Sequence, residues 1–293
     1  MLPAVLRAEI PAPRFQLRHV LSSALYGDLP TADVIAQVSR LKCESVDIWP
    51  KVHATQREQV AEMGDEAFQK LLSENHTSMS VSTCYPLGSF GQDDEMRWVK
   101  KNGGYLTVAA SGSMGDKDPR GAEAERQVKA YFEKLKPHYE LAEELGVTMA
   151  IENHANSMLS HPDSIRAFAE HNPSKHVGIA FAPHHLHDYI DEIPGLIRDL
   201  GADQLPFFYF QEHSPASKEL MDKKIELQQL PGLGTLDYVP IIGTLKEIGF
   251  RGLVEIFMHP VPRGIPILPT VDEIAEVMLK SREYVDGCVE QVA

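Results

Sequence analysis

The sequence predicts a single (β/α)8 barrel over residues 15–293, preceded by a Pro-punctuated tail at 1–14. Three observations predict it. Short apolar runs alternate eight times with helix-periodic segments, the pattern of a parallel sheet joined by right-handed crossovers. No break in composition divides the 293 residues, a length that α/β barrels commonly reach as one unit. No G-x-G-x-x-G follows the first strand, which disfavours a doubly wound dinucleotide-binding sheet.

Strand one is expected at residues 15–22 and breaks at Gly27; Thr31 then caps a helix with Val34, Val38 and Leu41 on one face. Residues 44–50 (ESVDIWP) read as strand two, stopped by Pro50. A helix at 65–75 groups Phe68, Leu71 and Leu72, and MSVSTCYP follows as strand three. The helix at 93–102 closes at Gly103 and Gly104, which supply left-handed residues, and YLTVAASG is strand four. The longest helix, 123–145, should kink at Pro137. Gly146 ends it, and VTMAIEN is strand five. HPDSIRAFAEHN reads as a helix, HVGIAFAP as strand six, 190–200 as a helix and QLPFFYFQEH as strand seven. The polar stretch 214–234 is long enough for a lid or a partner-facing loop. Thr235 opens a helix in LDYVPIIGTLKEIG, RGLVEIFMHP is strand eight, and an amphipathic helix at 271–289 packs on the barrel wall.

The formal charge of -14 disfavours nucleic acid or an anionic membrane as partner, because both reward clustered Lys and Arg. No run of about 18 apolar residues offers a membrane span. Cys43, Cys84 and Cys288 are odd in number and form no C-x-x-C pair, so they read as free thiols of a reducing, cytoplasmic setting. The N-terminal stretch is too Pro-rich for a secretory signal, although a leader already removed stays open. A homo-oligomer, built through barrel helices or the 214–234 insertion, also stays open.

The chemistry is concentrated at strand ends five to eight. Glu152 and Glu255 each sit in an apolar run, where an ionised carboxylate needs a cation or partner. His185 and Gln211 fall at the ends of strands six and seven, on the rim where barrel active sites are built. Glu152, His185, Gln211 and Glu255 together suit one divalent ion, Mn, Co, Mg or Zn. Spacing leaves open the choice between His184 and His185, and between Gln211 and His213. His154, two residues past Glu152, points to the same side and can hold a substrate oxygen or move a proton. Trp49 and His53 from strand two, His184 and His213, and His259 and Arg263 after strand eight are expected to bind substrate: Trp49 as an aromatic wall, Arg263 as a grip on phosphate or carboxylate.

At IENH (151–154), APHHLH (182–187), FYFQEH (208–213), EIFMHPVPRG (255–264) and VDIWPKVH (46–53), the chain resembles the sugar-phosphate isomerase/epimerase family of xylose-isomerase-like TIM barrels. That group also includes the endonuclease IV type of repair enzyme. The resemblance implies one divalent metal held by Glu, Asp, His and Glu on strands five to eight. Glu152 and Glu255 match the two glutamates. Ala182 stands where the family has Asp, and Gln211 where a histidine is common.

The expected activity is a metal-dependent isomerisation or epimerisation of a small ketose or keto-sugar. Glu152 or Glu255 would remove the proton beside the carbonyl, and the other carboxylate or His154 would return it to an enediolate. A hydratase or lyase would use the same site and then expel or add water. An abasic-site nuclease needs a basic DNA-facing loop and more metal ligands. A non-catalytic sugar-binding barrel is the reading that Ala182 keeps open.

Overall fold

The structure is a computed structural model and describes residues 14–293. Except for Arg14, the expected tail lies outside the described residues. Eight strands form the barrel: β1 (Arg18–Ser22), β2 (Ser45–Ile48), β3 (Met79–Thr83), β4 (Leu106–Ala110), β5 (Thr148–Glu152), β6 (Val177–Phe181), β7 (Phe207–Phe210) and β8 (Leu253–Ile256). They pair in sequence order, all parallel, and β8 returns to β1 to close the sheet. The helices are α1 (Thr31–Arg40), α2 (Gln56–Met63), α3 (Asp65–Glu74), α4 (Asp93–Lys101), α5 (Gly121–Leu145), α6 (Pro162–His171), α7 (Ile193–Leu200), α8 (Lys223–Glu226), α9 (Val239–Glu247) and α10 (Val271–Gln291).

Alternation along the strands decides what faces the helices and what fills the barrel. Outward residues such as Phe181, Phe208 and Phe210 are fully buried against the helix layer; Phe210 meets Tyr238 at 5.1 Å, at the start of α9. Each such side chain contributes about 2 kcal/mol by burial. The other face of the strands brings Ser22, Asp47, Thr83, Glu152, Tyr209 and Glu255 into the barrel, all buried. α10 lies against α1, α9 and β8, the wall position expected of it.

Several boundaries differ from expectation. Strands are shorter than their apolar runs. α2 went unread because Val60 is its one buried apolar residue, so it carries no stripe. Pro30, not Thr31, stands at the N-cap of α1, and the Thr31 hydroxyl donates to Gln59 Oε1 at 2.9 Å. α7 starts at Ile193, because residues 183–192 wind as 3-10 turns. Likewise α9 starts at Val239 with Pro240 in its first turn, not at Thr235. α5 runs as one helix through Pro137.

The Gln229 side chain helps pin the 214–234 insertion to the barrel. Gln229 Oε1 accepts from the Gln211 amide and from His259 N, both at 3.0 Å, and its Nε2 donates to His259 O at 2.8 Å. The loops after β7 and β8 are thereby tied together.

Gly27 does the same for the loops after β1 and β8. Its φ is +54°, and a Cβ there would overlap the Ile265 carbonyl carbon and lie 2.5 Å from Pro266 N. Next to it, Ile267 N donates to Leu25 O at 3.0 Å. We expect Gly27→Ala to destabilise the fold by about 3 kcal/mol or more, from backbone strain plus overpacking. A urea midpoint unchanged from wild type would disprove this close approach.

Candidate active site

Glu152 ends β5, and His154 follows in the turn after it. His185 comes from the 3-10 turns after β6, whose start is fixed when the Asn153 side chain brackets Ala182, accepting from its N–H at 2.7 Å and donating to its carbonyl at 3.0 Å. The ligand atoms of Glu152, His154 and His185 all lie within 4.8 Å of one another. His185 Nε2 is 3.9 Å from Glu152 Oε1, and the His154 and His185 rings are 3.9 Å apart. His154 Nδ1 contacts the Ala155 carbonyl at 2.7 Å, so Nδ1 carries the proton and Nε2 is left as the ligand nitrogen.

Burial pushes the Glu152 carboxyl up to about 8, with the nearby Tyr85 hydroxyl drawing it partly back. Burial also holds His185 well below the usual imidazole value, with the charge of His184 and His154 adding to it. Burial lowers His154 too, against the pull of its bond to Ala155. The imidazoles are therefore neutral at pH 7, the form that binds metal. Glu152 Oε2 and His185 Nε2 are buried with no hydrogen-bond partner. Unpaired donors of this kind, one carboxylate with two imidazoles, fit a divalent transition ion.

The expected ligand quartet is not assembled as the strand ends indicated. Glu255 lies outside the cluster of three. In register it pairs with Tyr209, two residues short of Gln211, so it sits one pleat deeper. There both of its oxygens are shut from solvent without a hydrogen-bond partner. Its neighbours are Asp47 and Ser22; burial and then the Asp47 charge push its carboxyl well above the usual range. Asp47 is itself held by Thr83, whose N–H donates at 2.9 Å and whose hydroxyl donates at 2.5 Å. Tyr209 is close to both carboxyl sets, and its hydroxyl accepts from Tyr85 at 3.3 Å. Gln211 keeps one buried, unpartnered acceptor, Oε1.

Sequence reasoning missed Asp47, although the signal was present: SVDI is an apolar strand carrying a carboxylate, the same anomaly that marked Glu152 and Glu255. Tyr85 and Tyr209 gave no comparable signal.

The residues expected to bind substrate divide into two groups. Trp49 is corrected: it is fully buried, stacked on Phe257 at 4.8 Å and 15°, with Tyr85 at 5.2 Å, and offers no open face to a sugar. His53 and His259 stand 5.1 Å apart beside this packed wall, and the loop bearing Arg263 adjoins them. On the other side, the His184 and His185 rings meet tilted by 43° with centres 3.8 Å apart, and His187 stacks on His213 at 3.7 Å. His184, His187 and His213 line a cavity of about 370 Å³ together with Ile190, Glu212 and Leu236.

A closed (β/α)8 barrel with a carboxylate–imidazole donor cluster at the C-terminal ends of its strands defines the class: a barrel built to present a polar site at that rim. The chain belongs to the xylose isomerase-like TIM barrel family, whose model matches residues 35–281. No curated protein matches it. Among solved structures it is similar to the IolI protein with a bound zinc atom (14% identity, TM-score 0.71, 94% of this chain and 99% of that one). It is also similar to a D-psicose 3-epimerase crystallised with D-fructose (14%, 0.68, 93% and 99%). A third is the 3-keto-D-glucoside 4-epimerase YcjR from E. coli (14%, 0.64, 92% and 100%). At these identities the likeness concerns the fold. Among the described residues, no helix is long and apolar enough to cross a membrane.

Proposed function

We propose that this protein is a metal-dependent isomerase or epimerase of a small ketose or keto-sugar, acting by proton transfer next to a carbonyl. One observation carries the reading: the cluster of buried Glu152 with half-buried His154 and His185 at the rim, in which Glu152 Oε2 and His185 Nε2 have no hydrogen-bond partner. The sugar epimerases among the structural neighbours support the class of substrate. Glu152, His154 and His185 would hold one divalent ion, with Gln211 Oε1 a further candidate donor; two imidazoles suit Zn, Co or Mn better than Mg. Such an ion, when bound, polarises a carbonyl and steadies the charge that develops on its oxygen.

The chain's own groups must then move the proton. Glu152 and His154 belong to the donor cluster, and Glu255 lies below it against Asp47, so the task falls to a neighbour. His184 fits it: the ring lies 3.8 Å from that of His185, it lines the cavity, and both its nitrogens are unpartnered. Burial, then the charge of His259 and His154, keep it far below the usual imidazole value and hence in the free-base form at pH 7. Burial of the site keeps water from the activated carbon.

The test is proton NMR of candidate ketoses in heavy water with the Mn- or Co-loaded protein. Exchange of the proton beside the carbonyl supports the reading; no exchange across the panel, with no metal taken up, sinks it. His184→Gln is expected to lower kcat by about 10²- to 10⁴-fold while the metal content stays at the wild-type level. A variant with unchanged kcat would remove His184 from the proton transfer. A hydratase or lyase is the second reading, favoured by the stacked His187 and His213 in the same cavity, which could protonate a departing hydroxyl. A vinyl signal in the same spectra identifies that outcome.

A further inference from the structure

We propose, resting on the sugar isomerase or epimerase reading, that the substrate carries an anion, a phosphate ester or a carboxylate, and that Arg263 grips it. The argument begins with charge pairing. Eight arginines (18, 40, 57, 120, 126, 166, 198 and 282) each form an ion pair with a carboxylate. Among the described residues the unpaired ones are Arg14, Arg97, Arg251 and Arg263. The first three are exposed and need no partner beyond water; Arg263 is half-buried. Burial draws its guanidinium below the ordinary value of 12.5, with only the charge of Glu226 opposing. Glu226 does not pair with it, because its carboxylate is held by Lys223 Nζ at 2.7 Å. A half-buried cation in a chain with 42 acidic residues has thus been left without an anion.

Its geometry suits a ligand. Nη1 donates to the Pro260 carbonyl at 2.9 Å, which fixes the plane of the fork; among the described residues no acceptor meets its Nε and Nη2 edge. That edge is the one that meets carboxylate or phosphate oxygens two at a time. The loop is held in place by Gln229 at His259 and by the seat of Ile265 and Pro266 on Gly27. The loop faces the site: Gly264 packs on the Val52 carbonyl, next to His53, whose ring stands 5.1 Å from that of His259. A neutral sugar would leave Arg263 unanswered. An anionic sugar answers it, its carbonyl end toward Glu152, His154 and His185 and its anion toward Arg263.

The test titrates the Mn-loaded protein by calorimetry with a ketohexose, its terminal phosphate ester, the corresponding sugar acid, and inorganic phosphate. An anionic form should bind about 100-fold more tightly than the neutral sugar, and which anion wins separates ester from acid. In R263Q that ratio should collapse to about 5-fold or less, and in R263K it should fall between the two, since Lys keeps the charge and loses the fork. Melting curves and metal content establish that both variants are folded and loaded. Wild-type protein that binds the neutral sugar as tightly as the anionic ones overturns the proposal, whatever the variants do. So does an R263Q that weakens all sugars by the same factor, which would mark a role confined to bracing Pro260. If no sugar binds, the isomerase reading fails, and inorganic phosphate then decides the anion site by itself: binding lost in R263Q upholds it, and no binding to wild type overturns it.

Discussion

Glu152→Gln should strip the protein of its metal. Wild-type protein dialysed without chelator is expected to hold about one equivalent of divalent ion per chain, and the variant to bind it more than about 100-fold more weakly, beyond what changes around the ligands cost. Turnover should fall by about 10³-fold or more. The physical reason is that Glu152 is the one carboxylate in the donor cluster, so its replacement removes the charge that makes a cation welcome among neutral imidazoles. The informative control is Glu255→Gln, which should retain the metal because Glu255 lies against Asp47, one pleat below Gln211. Elemental analysis of both variants decides the matter. Metal lost from Glu255→Gln and kept in Glu152→Gln would invert the assignment.

The metal-free protein should be most stable near pH 6.5. Seven histidines, His19, His53, His154, His184, His185, His213 and His259, are held below their ordinary value of 6.5, in every case first by burial. A base whose folded value is depressed contributes stability that is present above 6.5 and lost as pH falls through the folded value. Four carboxyls, Asp47, Glu152, Glu212 and Glu255, are shifted upward, again first by burial. An acid with a raised folded value contributes stability present below its unfolded value and lost as pH rises through the folded one. Below 6.5 seven groups oppose four and acid destabilises. Above 6.5 the carboxyls act alone, Glu152 through about 8, and stability declines. One net proton is worth about 1.4 kcal/mol per pH unit, or about 2–4 °C in melting temperature for a chain of this size. Added metal should remove the Glu152 share of the alkaline decline, and Glu255→Gln should remove part of the remainder. A melting temperature that stays flat between pH 6.5 and 8 without metal would show that these carboxyls are not held protonated in the fold.

The roles of Glu152 and Arg263 rest on different kinds of information. Glu152 was legible as a strand-end carboxylate, and His154 as its neighbour on the same side, because a strand alternates with period two. Arg263 was legible only as a residue type in a rigid loop. That it lacks a carboxylate, while eight other arginines have one, depends on where every acidic side chain ended up. Trp49 was misread because an aromatic residue at a strand end looks the same in sequence whether it faces a cleft or is covered by Phe257 from β8's trailing loop.

By itself the sequence determined the barrel, the order of its strands, the C-terminal helix on its wall and the rim that gathers histidines and carboxylates, since apolar periodicity and turn residues are local properties. Tertiary structure alone decided the depth of each residue along the barrel axis. Strands in a closed barrel are tilted and staggered, and the pairing of Tyr209 with Glu255 is set by hydrogen bonds between segments far apart in the chain. The same closure gives two glutamates that look equivalent in sequence different neighbours, His154 and His185 for Glu152, Asp47 and Ser22 for Glu255.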